Sequence, residues 1–83
     1  MERVNEIKNK IRKFIVETTY VTEDQVNNDT LIFTQGIFDS MGFISLISFV
    51  EEQFAVKALD SELVEENFES INAIANYIER KLL

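Results

Sequence analysis

The stretch GIFDSMGFISLISFVEEQF, from Gly36 to Phe54, joins a turn glycine and an Asp-Ser pair to a run of helix-forming residues. On a helical wheel of about 100° per residue, five of its apolar side chains fall within one sector, the pattern of a helix that buries one face. These five are Phe43, Leu46, Ile47, Val50 and Phe54. The stretch therefore predicts an amphipathic helix from Ser40 to Phe54.

The start of this helix has two unusual residues. Asp39 is well suited to act as the N-cap, because its carboxylate can accept hydrogen bonds from the free N–H groups of the first turn. Ser40 is then the first helical residue, and its free hydroxyl lies at the positive end of the helix dipole, where a phosphate is favoured. Gly42 costs about 1 kcal/mol relative to alanine in a helix. It predicts close approach, either by another molecule or by the preceding loop.

A second side of the same helix lies beside Ser40. Met41, Ile44 and Ser48 cluster there, Glu51 and Glu52 continue that side towards the C-terminal end, and Phe49 lies off both groups. Packing of Met41 and Ile44 against the long loop is one interpretation. The other is a small exposed apolar patch, bordered by acids, that a partner protein recognises.

The N-terminal half of the chain predicts one helix and a long connection. An apolar stripe at spacings of three and four indicates an amphipathic helix over roughly residues 3–18, and it comprises Val4, Ile7, Ile11, Phe14 and Ile15. A connection then runs to about Phe38, with a short helical turn near Glu23–Val26. Connections of this length are usually functional or ordered by their own side chains.

Two further helices are predicted after Phe54. Asp60 or Ser61 is expected to cap a short third helix through ELVEEN, residues 62–67, and Ser70 to cap the last helix. The apolar stripe of that last helix comprises Ile71, Ile74, Ala75, Ile78 and Leu82. FAVKAL, residues 54–59, resembles a strand but has no partner strand. The predicted fold class is therefore all-α, a small four-helix bundle with a long loop between helices one and two.

Composition limits the functions available to the chain. At 83 residues it predicts one small domain over residues 1–83. No apolar run of membrane-spanning length and no signal pattern appears, so we expect a soluble cytoplasmic protein with no membrane insertion. Cysteine and histidine are absent, which excludes thiolate and imidazole chemistry. We therefore expect no catalytic residue and no bound metal.

The net charge of −7 is unevenly distributed. Five of the eight basic residues lie in the first 13 positions, whereas from Glu17 to Glu69 twelve acidic residues accompany the single Lys57. A field of this sign repels phosphate backbones, so we predict no nucleic-acid binding. It suits basic partner surfaces, although a solvated acidic face without a partner explains the charge equally well.

Three functions that need no attached cofactor can be assessed from these residues. Ser40 is a poor nucleophile because Asp39 alone is a weak base for a serine hydroxyl. A calcium loop is disfavoured because NDTLIFTQG, residues 28–36, lacks the alternating oxygen ligands and the later glutamate. A cofactor-free helical adaptor, binding a basic partner through its acidic face, stays open as an alternative.

The stretch GIFDSMGFISLISFVEEQF resembles the modification site and second helix of acyl carrier proteins. The order helix, long loop, Asp-Ser, helix is similar to that family, as is ENFESINAIANYI at residues 66–78, so the resemblance covers essentially the whole chain. It implies a 4′-phosphopantetheine arm, derived from coenzyme A and covalently attached to Ser40, with Asp39 as the flanking acid. The thiol of that arm would hold acyl groups as thioesters, and the protein would be a non-catalytic carrier.

The resemblance also implies a docking surface and a set of partners. The surface would comprise Met41, Ile44, Ser48, Glu51, Glu52, Glu62, Glu65 and Glu66. The partners would be a phosphopantetheinyl transferase, an acyl-activating ligase, and acyltransferase or synthase enzymes. We expect the carrier to be a monomer.

The motif departs from the Asp-Ser-Leu-Asp pattern of fatty-acid-synthesis carriers. Here it reads Asp-Ser-Met-Gly, and Gly42, Ser45 and Ser48 leave the first turns of the helix without an acid. DSMG is instead similar to stand-alone carriers served by an AMP-forming ligase, including D-alanyl carrier proteins. The resemblance thus implies a dedicated carrier in a specialised acyl or lipid pathway, with an aminoacyl or peptidyl carrier as the alternative.

Overall fold

The computed structural model describes residues 2–19 and 21–82, and it is all-helical over these residues, with no strand among them. The four α-helices are α1 (Glu2–Thr18), α2 (Ser40–Phe54), α3 (Glu65–Phe68) and α4 (Ile71–Leu82). Two short 3-10 turns lie at Glu23–Gln25 and Asp60–Glu62. The predicted fold class is confirmed, as are the helix from Ser40 to Phe54 and the helical turn near Glu23.

Helix α1 packs against α4 through the predicted apolar stripe. Ile7, Ile11 and Ile15 are buried, whereas Val4 and Phe14 are only half-buried at its edges. The i, i+4, i+8 spacing of the three isoleucines places them on one face of the helix. This face forms one wall of the hydrophobic core.

Helix α4 begins as its sequence predicts. The Ser70 hydroxyl accepts a hydrogen bond from the Ala73 N–H at 3.1 Å, which confirms Ser70 as the cap. Four residues of the predicted stripe are buried, namely Ile71, Ile74, Ala75 and Ile78. The prediction was wrong for Leu82, which is exposed on the last turn, and it missed Tyr77, which is buried.

The third helix differs from its prediction. The chain forms the 3-10 turn Asp60–Glu62 and then α3, because Val64 between them adopts an extended conformation. Neither Asp60 nor Ser61 caps a helix. Leu59 precedes the turn instead, and its N–H donates to the Glu62 carboxylate at 2.9 Å. Side-chain contacts with α4, described below, hold this segment where a continuous helix was expected.

The long loop between α1 and α2 is ordered by one buried residue, Ile32. Its N–H donates to the Glu69 carbonyl at 2.9 Å. Its own carbonyl accepts from the N–H groups of Ile37 and Phe38 at 2.9 and 3.0 Å. Gly36 makes the intervening turn possible with a φ of +77°, a conformation that glycine adopts without steric cost. The loop therefore holds the residues before α2 against the core.

None of the helices in residues 2–19 and 21–82 is both long enough and apolar enough to cross a membrane.

Candidate functional site

Asp39 is the N-cap of α2. Its side chain accepts a hydrogen bond from the Gly42 N–H at 3.0 Å, and its backbone carbonyl accepts from the Phe43 N–H at 2.9 Å. The first turn is thereby capped by the aspartate, as its sequence position predicts. Capping leaves the hydroxyl of the next residue, Ser40, free of a structural role.

Ser40 is exposed on the first turn of α2, beside an open groove of about 350 Å³. The groove lies between α2, the loop that precedes it and the segment around α3. Its walls comprise Phe33, Phe38, Asp39, Ser40, Phe43, Leu63 and Glu65. A second groove, larger in volume at about 630 Å³, lies on the other side of Asp39, towards the end of α1. The Asp39–Ser40 pair therefore stands between two concave surfaces.

The position of Gly42 is explained by Phe38. A Cβ on residue 42 would overlap the Phe38 ring, with Phe38 Cγ at 3.0 Å and Cβ at 3.1 Å. Phe38 is 5% exposed and lies near the rings of Phe14 and Phe33, with centroids 6.2 and 6.3 Å away. Of the two reasons considered for the glycine, close packing of the loop on the helix is the one the structure supports.

Gly42→Ala is expected to destabilise the protein although alanine is the better helix former. Overpacking against a buried ring costs roughly 1–3 kcal/mol, more than the gain of about 1 kcal/mol from helix propensity. Urea unfolding of the two proteins measures the difference. Adding Phe38→Leu should recover part of the loss, and Ser45→Ala, on an exposed position of the same helix, should change stability little. A Gly42→Ala protein more stable than the wild type would contradict the packing explanation.

The two sides of α2 are separated in the structure. Met41 and Ile44 are 71% and 59% exposed, so they do not pack against the long loop. On the opposite side Leu46 and Val50 are buried. Phe43, Ile47 and Phe54 pack against the same core but stay partly exposed. The predicted core stripe and the predicted apolar patch thus lie on different sides of one helix.

Phe49, which the helical wheel places off both groups, belongs to the core side. Its ring stacks on Phe14 of α1 with a centroid distance of 4.2 Å, and it meets Phe54 edge to face at 6.1 Å. A single-helix wheel carries no information about Phe14, so the sequence pattern missed this contact. The ring pair joins α1 to α2 at the side of the bundle.

The acids predicted to bind partners divide into two groups. Glu52, Glu65 and Glu66 are exposed, as is Ser48, and Glu65 lies at the edge of the groove beside Ser40. Glu51 instead accepts a hydrogen bond from the Ala58 N–H at 2.9 Å, which fixes the chain after α2. Glu62 is also engaged within the protein.

The Glu62 carboxylate has three partners inside the chain. It accepts from the Leu59 N–H at 2.9 Å and the Tyr77 hydroxyl at 3.0 Å, and it pairs with Lys81 Nζ at 3.0 Å. The Leu59 hydrogen bond, followed by the one from Lys81, lowers the pKa of Glu62 below its usual 4.5. Burial, and then the Glu62 hydrogen bond, raises the pKa of Tyr77 to about 12. This cluster was not foreseen from the sequence.

Comparison with known proteins assigns the chain to a class. Residues 9–78 match the family described as "Phosphopantetheine attachment site". The chain is 32% identical over 77 residues to the acyl carrier protein of Thermotoga maritima, covering 93% of each chain. It is 30% identical to the acyl carrier protein of Buchnera aphidicola subsp. Baizongia pistaciae, over 89% of this chain and 92% of that one. It is also 30% identical to the D-alanyl carrier protein of Lacticaseibacillus casei, over 89% and 91% respectively.

These matches and the four-helix fold define a carrier domain, and the chain belongs to the acyl carrier protein family. Its prosthetic group is covalently attached 4′-phosphopantetheine. Carrier proteins of this family hold covalently bound chemical groups. They work with a phosphopantetheinyl transferase and with acyl-handling enzymes. The group supplies a terminal thiol.

The residues around Ser40 fit such a group. An exposed hydroxyl is needed for the phosphodiester, and Ser40 offers one at the first residue of a 15-residue helix. The positive end of a helix dipole favours the negative charge of the phosphate. The apolar walls of the adjacent groove, from Phe33, Phe43 and Leu63, are open to solvent at the same place.

Proposed function

We propose that this chain holds acyl groups as thioesters on a 4′-phosphopantetheine arm attached to Ser40. The observation that carries the proposal is the division of roles at the start of α2. Asp39 caps the helix, and Ser40 presents an exposed hydroxyl beside an open groove. A serine needed for the fold would instead be buried or hydrogen-bonded, as Ser70 is at the start of α4.

We propose further that the carrier serves a specialised acyl or lipid pathway. The first turn of α2 contains no acid, so negative charge near Ser40 comes from Asp39 before the helix and from Glu65 across the groove, and not from the helix surface itself. Packing against Phe38 accounts for Gly42, so the glycine itself is not an argument for a pathway. Similarity to a D-alanyl carrier protein keeps an aminoacyl or peptidyl cargo, loaded by an AMP-forming ligase, as the second candidate.

Partners are proposed to dock on the exposed side of α2 and the edge of α3. Met41 and Ile44 supply apolar area next to Ser40, and Ser48 extends that side along the helix. Glu52, Glu65 and Glu66 supply exposed negative charge around it. This arrangement suits a partner with a small apolar contact and basic residues around it. The carrier is proposed to act as a monomeric domain over residues 1–83.

Intact mass spectrometry of the protein from its native cells tests this function. We expect the mass to exceed that of the bare chain by the arm plus its cargo, and fragmentation to place the addition on Ser40. Release of the cargo by hydroxylamine would show a thioester, and its mass would separate an acyl from an aminoacyl group. A cofactor-free adaptor predicts a bare chain in those cells and also after co-expression with a phosphopantetheinyl transferase.

Met41→Glu and Ile44→Glu are expected to impair attachment of the arm without unfolding the protein. Both side chains are more than half exposed, so a charge there costs little folding energy. Placing a charge at the apolar centre of the interface should lower kcat/KM of the transferase about tenfold. The measurements are transferase kinetics and thermal unfolding, with Asn76→Glu on exposed α4 surface as the control. Wild-type kinetics in both variants would contradict the proposed surface.

A further inference from the structure

The wall of the groove opposite α2 is formed by a segment with little regular structure. Between α2 and α4 the chain contains only the 3-10 turn Asp60–Glu62 and the four-residue α3. Leu63 and Glu65, which line the groove beside Ser40, lie on either side of the extended residue Val64. Because so short a helix has little stability of its own, the shape of the groove depends on what holds this segment in place.

Glu62 joins the first part of this segment to α4. Helix α3 is joined to α4 separately, by Phe68 and by the Asn67 side chain, which accepts from Arg80 at 3.1 Å. The contacts of Glu62 with the Leu59 N–H, the Tyr77 hydroxyl and the Lys81 ammonium are here called the Glu62 latch. The side chain is 26% exposed and that of Lys81 is 23% exposed, so the pair is only partly solvated. Glu62 is also the residue immediately before Leu63. Any displacement of Glu62 is therefore transmitted directly to the groove wall.

Tyr77 makes the latch sensitive to the loss of Glu62. The tyrosine is 2% exposed, and its hydroxyl donates to the Glu62 carboxylate. A buried hydroxyl without an acceptor destabilises the folded state unless it binds water or moves. The Tyr77 ring lies 5.1 Å from Phe68, and Phe68 meets Phe43 edge to face at 5.5 Å. Phe43 lines the groove, so the latch also reaches the groove through this chain of rings.

We propose that Glu62 is a positioning residue, which holds the Leu63–Glu65 wall so that Ser40 is presented in a productive geometry to the enzymes that act on it. The proposal rests on the proposed attachment of the arm at Ser40. It replaces the expectation that Glu62 contacts partners directly, since its carboxylate is engaged by three groups of this chain. Glu62 affects the reaction at Ser40 without contacting the transferase or coenzyme A.

The test compares two substitutions of Glu62 in the apo protein, with a phosphopantetheinyl transferase and coenzyme A. The transferase joins Ser40 Oγ to the phosphorus of the arm, the hydroxyl proton is lost, and the nucleotide portion of coenzyme A leaves. Glu62→Ala removes every latch contact and should lower kcat/KM about tenfold through misplacement of the groove wall. Glu62→Gln keeps an oxygen for Leu59 and Tyr77, so it should restore most of the rate. Equal losses in both variants would indicate a direct charge contact and overturn the proposal.

Two further variants keep the test decisive if Glu62→Ala fails to fold. Tyr77→Phe leaves the charge of Glu62 in place, and positioning predicts slower modification together with faster hydrogen exchange over residues 59–68. Wild-type rates and exchange in Tyr77→Phe would overturn the proposal. Asp60→Ala removes an exposed carboxylate from the same turn and should leave the modification rate unchanged. A wild-type protein that gains no arm would instead refute the attachment proposal itself.

Discussion

Ser40→Ala should abolish attachment of the phosphopantetheine arm while leaving the fold intact. The side chain of Ser40 is exposed, and Asp39 supplies the cap of α2, so deletion of one hydroxyl disturbs no structural interaction. Attachment through a phosphodiester requires that hydroxyl oxygen, so the expected loss is complete rather than partial. Intact mass after co-expression with a phosphopantetheinyl transferase measures it, and circular dichroism and thermal unfolding check the fold.

Ser45→Ala is the matched control for this experiment. Ser45 is an exposed serine of the same helix, about 1.4 turns further along, and it should not affect the mass gain. A mass gain on Ser40→Ala equal to that of the wild type would mean that the arm is attached elsewhere. A gain lost in both variants would point to a defect in the helix rather than to the chemistry of one residue.

Phe68→Ala should cause the largest loss of stability among the substitutions considered. Phe68 is fully buried on α3, and its ring contacts Phe43 of α2 and Tyr77 of α4 with centroid distances of 5.5 and 5.1 Å. Removing a buried phenylalanine ring costs about 3–5 kcal/mol, through reduced burial and the cavity that is left. Small domains are typically stable by only about 5–15 kcal/mol, so a measurable unfolded fraction is expected.

Phe43→Ala provides the comparison for Phe68→Ala, because the same atoms are deleted from the next ring in the contact chain. The sequence predicts that Phe43 belongs to the core stripe of α2. If Phe43 were fully buried, Phe43→Ala would lower the stability by the same amount, about 3–5 kcal/mol. The structure leaves Phe43 partly exposed at the groove, so its loss should be clearly smaller. Urea unfolding of both variants measures the difference. Equal losses would contradict the expectation that Phe43, partly exposed at the groove, contributes less to stability than the buried Phe68.

The parts of the fold that local patterns govern were predictable from the sequence. Asp39 and Ser70 are caps because a carboxylate or hydroxyl before an apolar run satisfies the free N–H groups of a first turn. The exposed side of α2 was one of two interpretations that the sequence allowed, because a helix needs only one buried face and its core residues lie on the other side. Met41 and Ile44 are exposed for that reason.

The parts that depend on contacts between distant residues were not predictable. Glu62 had the appearance of one more surface acid in an acidic segment, and its partners Tyr77 and Lys81 lie 15 and 19 residues further along the chain. The stacking of Phe49 on Phe14 is of the same kind. In each case the position of a second helix decides the role of the residue. Periodicity within one helix does not contain that information.

The double hydrogen bond at the Ile32 carbonyl has a consequence for how far a cargo can travel. It fixes Ile37 and Phe38, and through them the residue from which the arm is proposed to extend. The anchor is therefore attached to the core, and the length of the tether sets the volume that the thiol explores. Once a partner has docked, the cargo reaches its active site within the same complex. The effective concentration of the cargo there is therefore high. A partner then needs only weak, short-lived binding to react, which suits a carrier that must leave each enzyme for the next.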